Sequence, residues 1–200
     1  MKIVCLSLPE TPDKTEAARN HFSESGLGEV EFFWGINAEV AGLATWHTYE
    51  IDHPGTGFKM GTKATGIWLS HYMLWASLIR ESCEHIMVLE TDACFQPGWK
   101  DKLNQALAIV PGNFDFFHIG HCAMQNLPRT HVGGNVWKTG EAQCTHAYIV
   151  RRAVLPFMLK TLRKIHGPID IQMKLECFPH LNCYALMPRI VDQFDTVLSP

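Results

Sequence analysis

No two cysteines in this chain are spaced Cys-x-x-Cys, and the seven that occur, at positions 5, 83, 94, 122, 144, 177 and 183, make an odd number. That pattern argues against a disulfide framework and favours a reducing compartment. Cys5, Cys94 and Cys144 lie inside apolar runs, where cysteine behaves as a small buried apolar residue. Also missing is any apolar run near the ~18 residues that a membrane span needs. Residues 1–9 carry one basic residue and an apolar core too short for a signal peptide, so they read as a first strand. An excess of positive charge is absent as well. The net charge is −3 with eleven histidines counted neutral, which argues against a general nucleic-acid binder. Internal repeats, low-complexity tracts and linkers are lacking. The expectation is one cytoplasmic domain over residues 1–200, with no transmembrane segment and enough chain to bury a sizeable core.

What is present alternates between strands and helices. Residues 2–8 form a short apolar strand ended by Pro9. Thr11 and Pro12 read as N-cap and first turn of a helix running to about Ser25, before Gly26 and Gly28. Residues 30–36 are a second strand. This is the opening of a parallel α/β layout. Residues 38–63 are dense in glycine and proline and read as a long loop, in which Trp46 and Tyr49 are placed to stack on a ring or to pin the loop. Residues 65–82 form a helix apolar nearly all round, hence buried, with Ser70 and His71 embedded in it. Strands follow at 86–92, 114–120, 135–139, 144–150 and 183–188. Helices are expected at 99–110 and 152–165, with a short one opening at Ile169-Asp170-Ile171.

The chemistry concentrates at Val88-Leu89-Glu90-Thr91-Asp92. A short unbroken apolar run reads as a strand buried on both faces, and ligands of α/β sheets bind beyond the C-terminal ends of such strands. Side chains alternate along a strand, so Glu90 and Asp92 face one way and Thr91 the other. Two co-facing carboxylates suit a hard divalent cation, Mg²⁺ or Mn²⁺. Alone, the same residues also fit a solvated strand end.

Further segments set the acids in context. Gly66-Ile67-Trp68-Leu69-Ser70-His71-Tyr72-Met73-Leu74-Trp75, followed by Met87 to Ala93, resembles glycosyltransferase family 25, the family of lipooligosaccharide and collagen galactosyltransferases. In that family a Gly–x–x–x–x–Ser-His–x–x–x–Trp helix precedes Leu-Glu-Asp-Asp-Ala. Residues 2–8, 32–38, 145–153, Pro168-Ile169-Asp170 and Tyr184 through Gln193 resemble further family segments in the same order. The resemblance implies a GT-A fold: an α/β, Rossmann-like domain with a mostly parallel central sheet flanked by helices. It implies an inverting transfer of a hexose, galactose-like, from a UDP-sugar to a saccharide or glycoconjugate, with lipopolysaccharide biosynthesis as setting. On the matching positions, Asp92 and Glu90 would hold Mn²⁺ or Mg²⁺. Glu90, Thr91, Lys63, Ser70 and His71 would serve the nucleotide-sugar, and Asp170 would be the general base.

The chain departs from the family pattern at several points. Thr91 replaces the middle acid, and Trp68 a cysteine. The family's first-loop arginine has no clear match, Lys14 and Arg19 being possible substitutes. The chain is also short, so an acceptor-binding extension is expected to be missing. Three bland readings stand beside the functional ones. Ser70 and His71 also fit a hydrogen-bonded core pair supporting the acidic strand from behind, Asp170 fits a helix N-cap, and Lys63 fits a solvated lysine. One competing reading is a non-catalytic nucleotide-sugar or glycan-binding relative. Another is a zinc hydrolase built on His118, His121 and Asp92.

Overall fold

The structure, a computed structural model, describes residues 1–42, 61–122, 128–165 and 167–194. Trp46 and Tyr49 lie outside the described residues. An eight-stranded sheet forms the centre. Its strands are β1 (Lys2–Ser7), β2 (Glu31–Trp34), β3 (His85–Glu90), β5 (Phe116–Gly120), β6 (Thr130–Gly133), β7 (Val136–Lys138), β8 (Ala147–Arg151) and β9 (Cys183–Leu186), in the order β2-β1-β3-β8-β5-β9-β7-β6. β4 (Ala93–Phe95) and β10 (Val191–Gln193) pair antiparallel as a separate ribbon. The helices are α1 (Pro12–Glu24), α2 (Thr62–Leu78), α3 (Trp99–Ile109), α4 (Leu155–Thr161) and α5 (Ile169–Gln172).

β1 pairs parallel with both β2 and β3, and β5 pairs parallel with β9. β8 runs antiparallel to β3 and β5, and β7 antiparallel to β9 and β6. Six of the eight strands therefore point one way, and β8 and β7 run against them.

Strand alternation sorts the side chains onto two cores. In β3, Met87 and Leu89 pack with Phe22 of α1 and Leu103 of α3. Ile86 and Val88 face the opposite layer, with Trp68, Leu74 and Trp75 of α2 and Leu155 and Met158 of α4. These four β3 residues are essentially inaccessible to solvent. That double burial is why the strand is an unbroken apolar run rather than an alternating one.

Several boundaries differ from the sequence reading. The strand expected at 86–92 ends at Glu90, where the chain turns into β4. The helix expected at 152–165 begins as a 3₁₀ turn (Arg152–Val154) and ends at Thr161, since Leu162 takes φ −87°, ψ 48°. Thr11 occupies the N-cap position of α1, but its hydroxyl donates to the Leu8 carbonyl and caps nothing. The strand at 130–133 was not foreseen. Its side chains are mostly exposed, so no apolar pattern marks it. Finally, Cys122 and Cys144 are joined as a disulfide, while the other five cysteines are free thiols. Cys144 is therefore a cross-link rather than an inert apolar residue, and the thiol-based case for a reducing compartment falls with it. Among the described residues no helix is long and apolar enough to cross a membrane.

Candidate active site

A cavity of about 490 Å³ opens beyond the C-terminal ends of β1, β2 and β3. This lies within the size range of small-molecule sites. Ser7, Asn37, Ser70 and His71 contribute to its wall, together with Lys14, Lys63, Glu90, Thr91 and Asp92.

The wall is built by close approach of α2 to the segment after β2. Ser70 Oγ donates to the Gly66 carbonyl at 2.7 Å and accepts the Ile36 N–H at 2.8 Å. A methyl group at Gly66 would stand 2.7 Å from the Ile36 carbonyl oxygen, and one at Gly35 would stand 2.6 Å from Ser70 Oγ. The Gly–x–x–x–Ser spacing thus sets one helix face directly against backbone, which side chains at 35 or 66 would prevent.

His71, one residue on, faces β3. Glu90 shares its parity with Ile86 and Val88, so its side chain leaves the strand on the α2 side. His71 Nε2 meets Glu90 Oε1 at 3.1 Å, and His71 Nδ1 meets the Tyr148 hydroxyl at 3.0 Å. The Trp75 indole N–H donates to that hydroxyl at 2.8 Å. Donor capacity orders the two ends of the chain. An indole nitrogen only donates, so the Tyr148 hydroxyl accepts from Trp75, and a carboxylate only accepts, so His71 Nε2 donates to Glu90. Burial pushes the Tyr148 hydroxyl well above its ordinary pKa, keeping its proton in place. Thr145 completes the shell, donating to Glu90 Oε1 at 2.6 Å. Burial pushes the Glu90 carboxyl up, and the His71 ring and Thr145 hydroxyl more than offset it, holding the acid below its usual range.

Asp92 is held differently. It lies past the end of β3, so strand alternation does not set its direction. Its Oδ2 accepts the Gln193 side-chain amide at 2.9 Å, and its carbonyl accepts the Phe194 N–H at 2.9 Å. The β4–β10 pairing places Gln193 opposite Ala93, beside Asp92. Thr91 was expected to face away, yet it lines the cavity with both acids because the chain has already left the pleat. Lys63 is exposed at the cavity's edge. Of the two substitutes for a first-loop arginine, Lys14 lines the cavity. Arg19 instead stacks over Phe32 at 4.4 Å and pairs with Glu16.

Asp170 sits in the first turn of α5, whose N-cap is Pro168, so the N-cap reading of Asp170 does not hold. Its Oδ1 accepts the Ile171 N–H and its Oδ2 the Cys144 N–H, both at 2.9 Å. Asp170 is not part of the cavity wall described above, but Cys144 adjoins Thr145, which touches Glu90. Trp68 ties α5 to α2 through its indole N–H, which donates to Gln172 Oε1 at 3.0 Å.

The histidines proposed for zinc do not converge. His121 has both ring nitrogens against carbonyls, those of Cys122 and Leu186. His118 is buried beside the Phe116 and Phe178 rings, and burial drives its pKa well below the ordinary value. Among the described residues no group of three or more histidine, cysteine, aspartate or glutamate side chains is arranged to hold a metal. The oxygen donors at the cavity nevertheless fit a hard divalent cation whose remaining ligands come from phosphate and water. Thr145 and Gln193, the side chains that fix the two acids, were not singled out from the sequence. Only their places in resembling segments marked them.

A mixed sheet with a cavity at its carboxyl edge and an acidic turn on its floor is the architecture of a GT-A glycosyltransferase domain. The chain belongs to glycosyltransferase family 25: residues 1–173 match the family described as "Glycosyltransferase family 25 (LPS biosynthesis protein)". A glycosyltransferase 25 family member of Drosophila melanogaster is 24% identical over 195 residues, covering 90% of this chain and 31% of the relative. One from Aedes aegypti is 28% identical over 143 residues, covering 66% and 23%. The chain thus spans a third or less of the length of these curated relatives. Among solved structures, a glycosyltransferase involved in glycosylating the major capsid of PBCV-1 superposes with a TM-score of 0.55 at 10% identity, covering 100% of this chain and 94% of that one. The glycosyltransferase GlyE of Streptococcus pneumoniae gives 0.51 at 8% identity, covering 93% and 45%. At such identities these likenesses speak for the GT-A fold alone.

Proposed function

We propose that this domain is a metal-dependent, inverting glycosyltransferase that moves a hexose from a UDP-sugar to a hydroxyl of a saccharide or glycoconjugate. The observation that carries the reading is the gathering of Glu90, Thr91 and Asp92 with Lys14 and Lys63 around one cavity at the sheet's carboxyl edge. Two carboxylates and two ammonium groups suit a diphosphate and a cation together. Asp92 is the principal ligand for Mn²⁺ or Mg²⁺, with Glu90 contributing to the metal or the nucleotide. When bound, the cation offsets negative charge on the departing diphosphate. Ser70 and His71 shape the wall beside the nucleotide-sugar, and His71 also holds Glu90. Asp170 accepts the proton of the acceptor hydroxyl as its oxygen attacks the anomeric carbon from the face opposite UDP. The new glycosidic bond forms as the bond to UDP breaks.

The direct test is UDP release from a panel of UDP-sugars, UDP-galactose first, with and without Mn²⁺. Wild type is expected to turn over a donor only with metal, and Asp92→Ala to lose that activity by at least about 100-fold. Equal release by both proteins, or no donor binding by wild type, sinks the assignment. Thr91, neutral where the family has an acid, favours a second reading: a relative that binds nucleotide-sugars or glycans without turning them over. Calorimetric binding with no transfer to any acceptor would select it.

A further inference from the structure

Three consecutive residues ahead of β8 touch both acids to which the transfer assigns roles, although 80 positions separate Glu90 from Asp170 in the chain. Thr145 Oγ1 donates to Glu90 Oε1, the His146 carbonyl accepts the Glu90 N–H at 2.9 Å, and the Cys144 N–H donates to Asp170 Oδ2 at 2.9 Å. Cys144 holds the left-handed φ of +72°, which a residue with a Cβ adopts only when its surroundings enforce it. Here the surroundings are explicit. Cys144 is bonded to Cys122, and the Cys122 N–H donates to the Gln143 carbonyl.

The donors on Glu90 are also unevenly placed. Both His71 and Thr145 meet Oε1. Among the described residues no protein donor meets Oε2. A carboxylate held by one donor can still swing about its terminal torsion, which is broad and only two-fold. Two donors converging from α2 and from the turn before β8 fix its plane, and leave Oε2 for whatever enters the cavity.

We infer that Thr145 is a positioning residue: it fixes the Glu90 carboxylate and holds that acid in register with Asp170 through the turn shared with Cys144. Its bearing on sugar transfer rests on the function proposed above, while the clamp itself does not.

Two measurements on Thr145→Val, which keeps shape and removes the donor, test this, with Thr145→Ser as the variant that keeps the hydroxyl. Amide hydrogen exchange of Cys144 and Glu90 in the full chain is expected to quicken about tenfold in the valine variant, the worth of one hydrogen bond, and to stay near wild type in the serine variant. Unchanged protection in the valine variant overturns the clamp. In the UDP-sugar assay, the valine variant should lose about 10–100-fold in kcat with little change in donor KM, and serine should restore it. A merely structural residue would not split kcat from KM in a folded variant, so full kcat in the valine variant, or serine behaving as valine does, overturns the positioning role. If wild type turns over no donor while the valine variant's exchange quickens, the proposed function falls and the clamp stands. Thr145→Ala, which removes the hydroxyl without bulk, replaces the valine variant if that one does not fold, under the same outcomes.

Discussion

Glu90 and Asp92 are two residues apart, and different machinery holds each. Glu90 ends a strand in the middle of the sheet, and its carboxylate closes a buried chain running from Trp75 through Tyr148 and His71. Asp92 adjoins the small β4–β10 ribbon, and the Gln193 side-chain amide of that ribbon donates to it. The first acid is fixed by the same contacts that fix the core. The second depends on the segment after β9, itself fastened by Arg189 to the His121 carbonyl and by Gln96 to Asp192. Breaking the buried Trp75–Tyr148–His71 chain behind Glu90 should therefore register as lost stability, and mutations near Asp92 as lost ligand affinity.

The largest expected effect lies on the Glu90 side. Opening the Cys122–Cys144 link by Cys122→Ser should cost about 3 kcal/mol, the range for a loop of this length. Alkylation of the unfolded, unreduced protein followed by mass spectrometry should label five thiols, and seven after reduction. Labelling of all seven without reductant disposes of the link. Next comes His71→Ala, which takes from the buried Tyr148 hydroxyl one of its two partners and from Glu90 one of its two donors, and should cost about 2–3 kcal/mol in urea unfolding. Gln193→Ala should leave stability within about 1 kcal/mol of wild type while weakening Mn²⁺ binding about tenfold by calorimetry. If it unfolds the chain as readily as His71→Ala does, the ribbon is no separate device and the contrast breaks.

The smallest effect is one of pH. Burial pushes the Asp192 carboxyl up, but hydrogen bonds from Gln96 and Arg189 outweigh it and hold the pKa below its ordinary 3.8. A group lowered in the folded state stabilises above its unfolded pKa and loses that contribution as pH falls through its folded value. The melting temperatures of wild type and Asp192→Asn should thus differ at neutral pH and converge below about pH 4. A constant gap down to pH 2 would remove the ion pair from the ribbon's account.

The Glu90 half of the site was legible in the sequence because one period governs it. An apolar run identified β3, alternation gave Glu90 the parity of Val88, and a helical pattern with Gly66, Ser70 and His71 on neighbouring faces supplied the partner. The same period was carried two residues too far. The pleat ends at Glu90, so the directions expected of Thr91 and Asp92 had no strand to set them. Pairings between distant segments left no local mark. Cys122 and Cys144 meet only because β5 and β8 are neighbours, and nothing in Ala147–Arg151 says that this strand runs against β3. Resemblance to family 25 supplied what periodicity could not, namely Asp170 as the candidate base and a place for Gln193 in a family segment. It did not supply their contacts.

The reversal of β8 also decides where the chain tolerates a change of length. Forward strands bring their last residues to the cavity edge, but β8 brings its first, because Ala147 lies opposite Leu89 while Arg151 lies opposite His85. A residue inserted just before Ala147 would shift the Thr145 hydroxyl off Glu90. One inserted just after Arg151 falls at the far edge, a strand's length from either acid. In this fold, a library of loop insertions would map the cavity's edge as surely as a bound ligand.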